Sequence, residues 1–196
     1  MFLAVPPRSA DMDRRWRRRL ARLPAFSLVV GFAGVAAAHP RRVVRESVAL
    51  DGDTLRVGDA TYDLAGRDVV VLGGGKAAGE LAAALEAVLG DRLRGGAVVT
   101  DEPVETGRVD VLPGDHPVPS ETGVESTREV LAAADEAGGG VLVLAVVAGG
   151  GSALLAAPAG VSLADLRATN EALLESGAPI ADVNAVRKHL SAVKGG

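Results

Sequence analysis

The sequence has 196 residues, of which 48% are apolar, 3% are aromatic and none is cysteine. That is room for one domain or a lean pair, too apolar for a disordered chain, and it excludes disulfides, thiolate catalysis and Cys-ligated zinc. The net charge of −4 divides unevenly, +8 over residues 1–45 and −12 over residues 46–196; phosphate repels so acidic a body, which argues against a nucleic-acid partner.

Arg14, Arg15, Arg17, Arg18 and Arg19 precede an uncharged run over residues 23–38 that ends in three alanines. Charge, apolar stretch and small residues in that order is the layout of a secretory signal peptide. The run is shorter than the roughly 20 apolar residues of a membrane span, and Pro6, Pro7 and Pro24 interrupt any long helix. We read residues 1–35 as an atypical basic extension and expect no membrane partner.

Residues 48–64 read as a small hairpin turned at Asp51-Gly52. The β-branched run 68–72 fits a buried parallel strand, and Gly73-Gly74-Gly75 leads into an Ala/Leu helix over 76–89, stopped by Gly90. Residues 97–100 and 109–112 are the next two strands, and 121–137 a helix closed by three glycines. The most apolar run, 141–147, is expected to be the central strand. Residues 162–176 and 180–193 are helical. Strand–helix alternation at this spacing predicts an α/β fold, a Rossmann-like parallel sheet with helices on both faces, whose ligands bind beyond the carboxyl ends of the strands.

Both Gly-rich loops fall at such ends. The first, Gly73-Gly74-Gly75-Lys76-Ala77-Ala78, is not a Walker A loop, because Ala77 stands where the Mg²⁺-binding hydroxyl is needed. It matches G-x-G-x-x-A, with Asp101 at the end of the next strand as a possible ribose-binding acid; a plain β–α turn is the alternative. Lys76 sits where a helix dipole disfavours a cation, which makes most sense beside a bound anion. The second loop, Gly149-Gly150-Gly151-Ser152, can converge backbone N–H groups and a hydroxyl on a phosphate or carboxylate, and it lacks the G-x-S-x-G pattern of a hydrolase elbow. His116, in the loop Asp115-His116-Pro117-Val118-Pro119, is expected to be structural. The three histidines, 39, 116 and 189, lie too far apart in sequence to suggest a metal site. Arginine outnumbers lysine 18 to 3, so lysine positions are informative: one is Lys76, and Lys188 and Lys194 close the chain with Arg187. The 180–193 helix is expected to bury a stripe of Val183, Val186, Leu190 and Val193.

The segments GGGKA (73–77), GDHPVPSE (114–121), AGGGSALL (148–155) and NAVRKHLSAVKGG (184–196), with LDGDTLRVGDATYDLAG (50–66) and GAVVTD (96–101) between them, resemble in order and spacing the N-terminal half of the glycerate 2-kinase (MOFRL) family. The resemblance covers about residues 36–196 and departs at Ala148, where the family commonly carries Ser. It implies ATP-dependent phosphorylation of D-glycerate to 2-phosphoglycerate, with Mg²⁺, in the cytoplasm. It implies that Lys76 is the active-site lysine, that Gly74, Gly75 and Gly149, Gly150, Gly151 and Ser152 bind substrate or phosphate, and that Asn184, Arg187, Lys188 and Lys194 lie near an interdomain cleft. It also implies that residues 36–196 are the first domain of a two-domain kinase. Much of the nucleotide and metal site would then belong to a missing C-terminal domain or another subunit. Family members have been labelled hydroxypyruvate reductases, so an NAD(P)H-dependent reductase is the alternative, and a non-catalytic remnant of the kinase a third.

Overall fold

The computed structural model describes residues 38–195; the basic extension over 1–35 lies outside them. Helix α1 (Pro40–Ser47) starts with proline at its first position and His39 at its N-cap, and buries Val44. Three short strands follow, β1 (Val48–Asp51), β2 (Thr54–Val57) and β3 (Ala60–Asp63), paired antiparallel in that order. The expected hairpin is therefore a meander: Gly58, with φ +58°, makes a second turn that returns the chain along β2.

The main sheet is parallel and four-stranded. Its members are β4 (Asp68–Gly74), β5 (Leu93–Thr100), β6 (Val109–Pro113) and β7 (Val141–Val147), in the spatial order β6-β5-β4-β7. Alternation along β4 divides the core into two layers. Val69 and Val71 pack with Ala78, Ala82, Leu85 and Leu89 of helix α2 (Ala78–Leu89), over which the meander and α1 also close. Val70 and Leu72 face the other way, toward Val130 and Ala137 of helix α3 (Glu121–Ala137). Each face is thus covered by a helix, as parallel sheets require.

One expectation about this sheet is corrected. Among the described residues the apolar strand β7 is not central; it is an edge, paired with β4 alone. Its even residues Leu142, Leu144 and Val146 join the α2 layer. Helix α3 lies over β4, β5 and β6, so Val143 and Val147 remain 44% and 77% exposed. Hydrophobicity on both faces of a run signals what a strand can tolerate, and coverage by neighbouring helices decides where it sits.

After β7 come a short turn of helix, α4 (Gly151–Leu154), and two longer helices, α5 (Leu163–Glu175) and α6 (Ile180–His189). Helix α5 opens on a capping box, Ser162 with Asp165. Helix α6 stops four residues earlier than the apolar spacing predicts, and of the expected stripe Val183 is buried while Val186 is 43% exposed. The physical reason is competition for the backbone: Ala192 N–H donates to the Ala157 carbonyl at 2.9 Å, and Ala159 N–H to the Leu190 carbonyl at 3.1 Å. That strand-like exchange turns the chain back toward the end of β7. No helix among the described residues is long and apolar enough to cross a membrane.

Candidate functional site

The register of the parallel sheet brings its strand ends together. Gly74 pairs with Val147 and Val99, and Thr100 with Pro113, so the loops after β4, β6 and β7 emerge side by side at the carboxyl edge. Two of these loops are bonded backbone to backbone. Lys76 N–H donates to the Gly149 carbonyl at 2.8 Å, and Ala148 N–H to the Gly74 carbonyl at 3.2 Å.

That contact explains the glycines of the first loop. A methyl group on Gly75 would lie 2.6 Å from the Ala148 carbonyl oxygen, and one on Gly74 would lie 2.7 Å from Leu155 Cγ. Close approach of the two loops leaves no room for side chains. Other amides of the turn are also paired: Gly75 N–H donates to the Val99 carbonyl and Ala78 N–H to the Gly75 carbonyl, both at 2.9 Å. With Lys76 N–H also engaged, Ala77 is the one residue from Gly75 to Ala78 whose N–H has no backbone acceptor among the described residues. Gly74 and Gly75, expected to hold substrate, also let the chain approach Leu155 and Ala148 closely. The Lys76 backbone is fixed further by Thr100, whose hydroxyl donates to its carbonyl at 3.0 Å, while the side chain is exposed.

In the second loop the amides remain available. Gly151 N–H closes a turn onto the Ala148 carbonyl at 3.1 Å, but among the described residues no backbone carbonyl accepts from Gly149, Gly150 or Ser152 N–H. Gly150 has φ +82°, in the region that favours glycine. The Ser152 hydroxyl accepts from Arg187 Nη2 at 2.7 Å. Lys194 follows, its Nζ donating to the Leu155 carbonyl at 3.0 Å and to Ser191 Oγ at 3.3 Å. Burial, and secondarily the nearby Arg187 charge, push its pKa down to about 8. The early end of α6 is what returns Lys194 to this place.

The sheet edge therefore carries Lys76, the free amides of residues 149, 150 and 152, the Ser152 hydroxyl, Arg187 and Lys194. Asn184 and Lys188 share the exposed side of α6 with no hydrogen bond to that group among the described residues. His116 is brought in where sequence reasoning expected only a structural residue: a methyl on Gly150 would lie 2.9 Å from its Cδ2 and 3.2 Å from Lys76 Cγ. Its peptide bond to Pro117 is cis. A cleft of about 360 Å³ opens beside Arg187, walled by Pro117, Val118, Leu174 and Val183. Among the described residues no group of three or more His, Cys, Asp or Glu side chains converges as a metal site would require.

Comparison with known proteins identifies the family of this chain. The family described as "Domain of unknown function (DUF4147)" matches residues 30–196. A glycerate 2-kinase of Pyrococcus horikoshii is 38% identical over 165 residues, 83% of this chain and 37% of that protein. A protein of Agrobacterium vitis that carries a hydroxypyruvate reductase name is 47% identical over 130 residues, 65% of this chain and 30% of its own length. The crystal structure of a glycerate kinase from Thermotoga maritima superposes with a TM-score of 0.71 at 34% identity, covering 89% of this chain and 40% of that one. The chain thus spans well under half the length of these relatives.

Proposed function

The chain belongs to the DUF4147 family, and from that premise we propose that it contributes the N-terminal, substrate-side domain of a cytoplasmic glycerate 2-kinase, catalysing ATP-dependent phosphorylation of D-glycerate at its 2-hydroxyl. The observation that carries the reading is the grouping of Lys76, three unengaged amides and Arg187 at one end of the sheet. In phosphoryl transfer the hydroxyl oxygen of the acceptor forms a bond to the γ-phosphorus as the bond to the leaving ADP oxygen breaks. Catalysis is mostly positioning and neutralisation of charge on the phosphoryl oxygens. Lys76, anchored at both its N–H and its carbonyl, directs an ammonium at those oxygens. Gly149, Gly150 and Ser152 offer N–H donors, and Arg187, held by the Ser152 hydroxyl, a guanidinium suited to bidentate recognition.

Mg²⁺, which the family chemistry calls for, finds no cluster of three or more His, Cys, Asp or Glu side chains among the described residues; one or two carboxylates with the substrate phosphates would have to hold it. In this reading the remainder of the catalytic apparatus comes from a second domain or subunit.

The reductase reading has one sequence feature in its favour, the G-x-G-x-x-A turn, and the name of one relative. Against it stand the N–H groups of Gly75, Lys76 and Ala78 in that turn, which are paired inside the protein. Calorimetric titration with inorganic phosphate and with D-glycerate tests the kinase reading: binding that weakens at least tenfold in Lys76→Ala supports it. Equal binding by wild type and variant removes Lys76 from the site. A change in NADH fluorescence on adding the chain would favour the reductase, and no thermal shift with any of these ligands would favour a non-catalytic remnant.

A further inference from the structure

We propose that His116 is a cationic contact for the phosphoryl group, completing with Lys76 and the 149–152 amides a site built from three strand ends. The inference rests on the anion-site reading above and extends it to a residue from the loop after β6.

The imidazole and the Lys76 stem flank one point over Gly150. A methyl there would lie 2.9 Å from His116 Cδ2, 3.4 Å from Nε2 and 3.2 Å from Lys76 Cγ. The Nε2 edge of the ring is therefore the edge turned to the loop with the free amides. The His116 loop is tethered at both ends. Gly114 N–H donates to the Thr100 carbonyl at 2.9 Å and Ser126 Oγ to the Pro113 carbonyl at 2.6 Å. Arg167 Nε donates to the Pro119 carbonyl at 2.6 Å. Between these ties the ring itself is exposed and bonds to no described residue, so a fixed loop presents an uncommitted imidazole beside a lysine.

A protonated imidazole and the lysine ammonium on neighbouring loops would repel unless an anion lay between them. A tetrahedral dianion, with three terminal oxygens for one ammonium, one imidazolium and three amides, matches the donors better than a planar carboxylate of single charge. The charged groups beside the ring are Lys76 from the loop after β4 and Asp115, its neighbour in sequence. Arg187 reaches Ser152 from α6 and, with Arg167, Glu171 and Glu175, lines the cleft next to Pro117.

The test uses sulfate, which stays dianionic across the range, and the intact chain. Proton NMR follows the His116 ring from pH 5 to 7.5, assigned by the loss of its signals in His116→Gln; Lys194 stays protonated over most of that range. Sulfate at saturation should raise the His116 midpoint by at least half a unit, since an anion that binds the imidazolium favours protonation. Sulfate affinity should fall at least threefold between pH 5.5 and 7 in the wild type and stay flat in His116→Gln. If the 149, 150 and 152 amide signals shift with sulfate while the His116 midpoint does not, His116 is no contact and the anion site stands without it. If neither responds, both readings fall. A midpoint raised by D-glycerate and not by sulfate overturns the phosphoryl assignment in favour of a carboxylate.

Discussion

Gly150→Ala separates a glycine of the second loop that the backbone conformation demands from a neighbour, Gly149, that it does not. At φ +82° an alanine carries left-handed strain, a cost of about 1–2 kcal/mol for an L-residue. Its methyl would also lie 2.9 Å from the His116 ring and 3.2 Å from the Lys76 stem. Both side chains are exposed, so they can swing aside at little cost. The strain term therefore sets the loss of stability, and the steric term appears as displacement of two site residues. For a chain of this size about 1–2 kcal/mol lowers Tm by about 2–8 °C. Gly149 is the control: its φ lies outside the positive region and a methyl there meets nothing within 4 Å. Gly149→Ala should be neutral, or stabilise by up to about 1 kcal/mol through a less flexible unfolded chain. Scanning calorimetry on the two variants, with sulfate titration of each, checks the pair. Gly150→Ala should lose both stability and anion affinity, and Gly149→Ala should keep its stability. Indistinguishable Tm values for the two would refute the claim that backbone conformation at residue 150 shapes the loop.

Two further outcomes are expected. Glu86 accepts from the N–H groups of Gly107, Arg108 and Val109 at 2.6–2.8 Å. Burial raises its pKa, but these three amides and the Arg108 charge outweigh burial and hold the carboxyl below its usual range. Glu86→Gln should cost about 1.5–3 kcal/mol in urea unfolding at pH 7. Because the folded pKa is depressed, that stability is present above the ordinary glutamate range and is lost as pH falls through the folded value, so variant and wild type should converge in acid. A gap that persists at pH 2 would argue against the charged hydrogen bonds. Lys194, with its pKa near 8, should lose its charge between pH 7 and 9, and sulfate affinity should fall over that interval; in Lys194→Arg the fall should vanish. The sign for folding is the opposite: a lysine held below its ordinary value opposes folding while protonated, and that opposition eases as pH rises through 8 toward 10.5.

The fold class was legible because its signals are local and periodic. Val69 to Leu72 are β-branched or branched apolar residues that two helices must cover, and glycines mark the exits of β4, β6 and β7. Position within the sheet was not legible, because β7 is as apolar as a buried strand while its outer face lacks a helix above it. The end of α6 was missed for a related reason. Val186, Leu190 and Val193 fit helical spacing, but the backbone of Leu190 and Ala192 finds partners in residues 157–159, and no periodicity reports a partner thirty residues away.

The candidate site shows the same division between local and distant information. Glycine runs and rare lysines pointed to both loops, yet they could not tell which glycines offer amides and which merely permit contact. That distinction comes from pairing: the N–H of Gly75 is taken by Val99, and those of Gly149 and Gly150 have no backbone acceptor among the described residues. His116 was undervalued because an isolated histidine between prolines carries no spacing signal. The usable signal was topological, since its loop follows a parallel strand just as the two glycine loops do. In a parallel sheet every such loop exits at the same edge, so a chemically capable residue gains weight from the strand that precedes it. Applied along this chain, that rule brings Lys76 after β4, His116 after β6 and Gly149–Ser152 after β7 to a single edge.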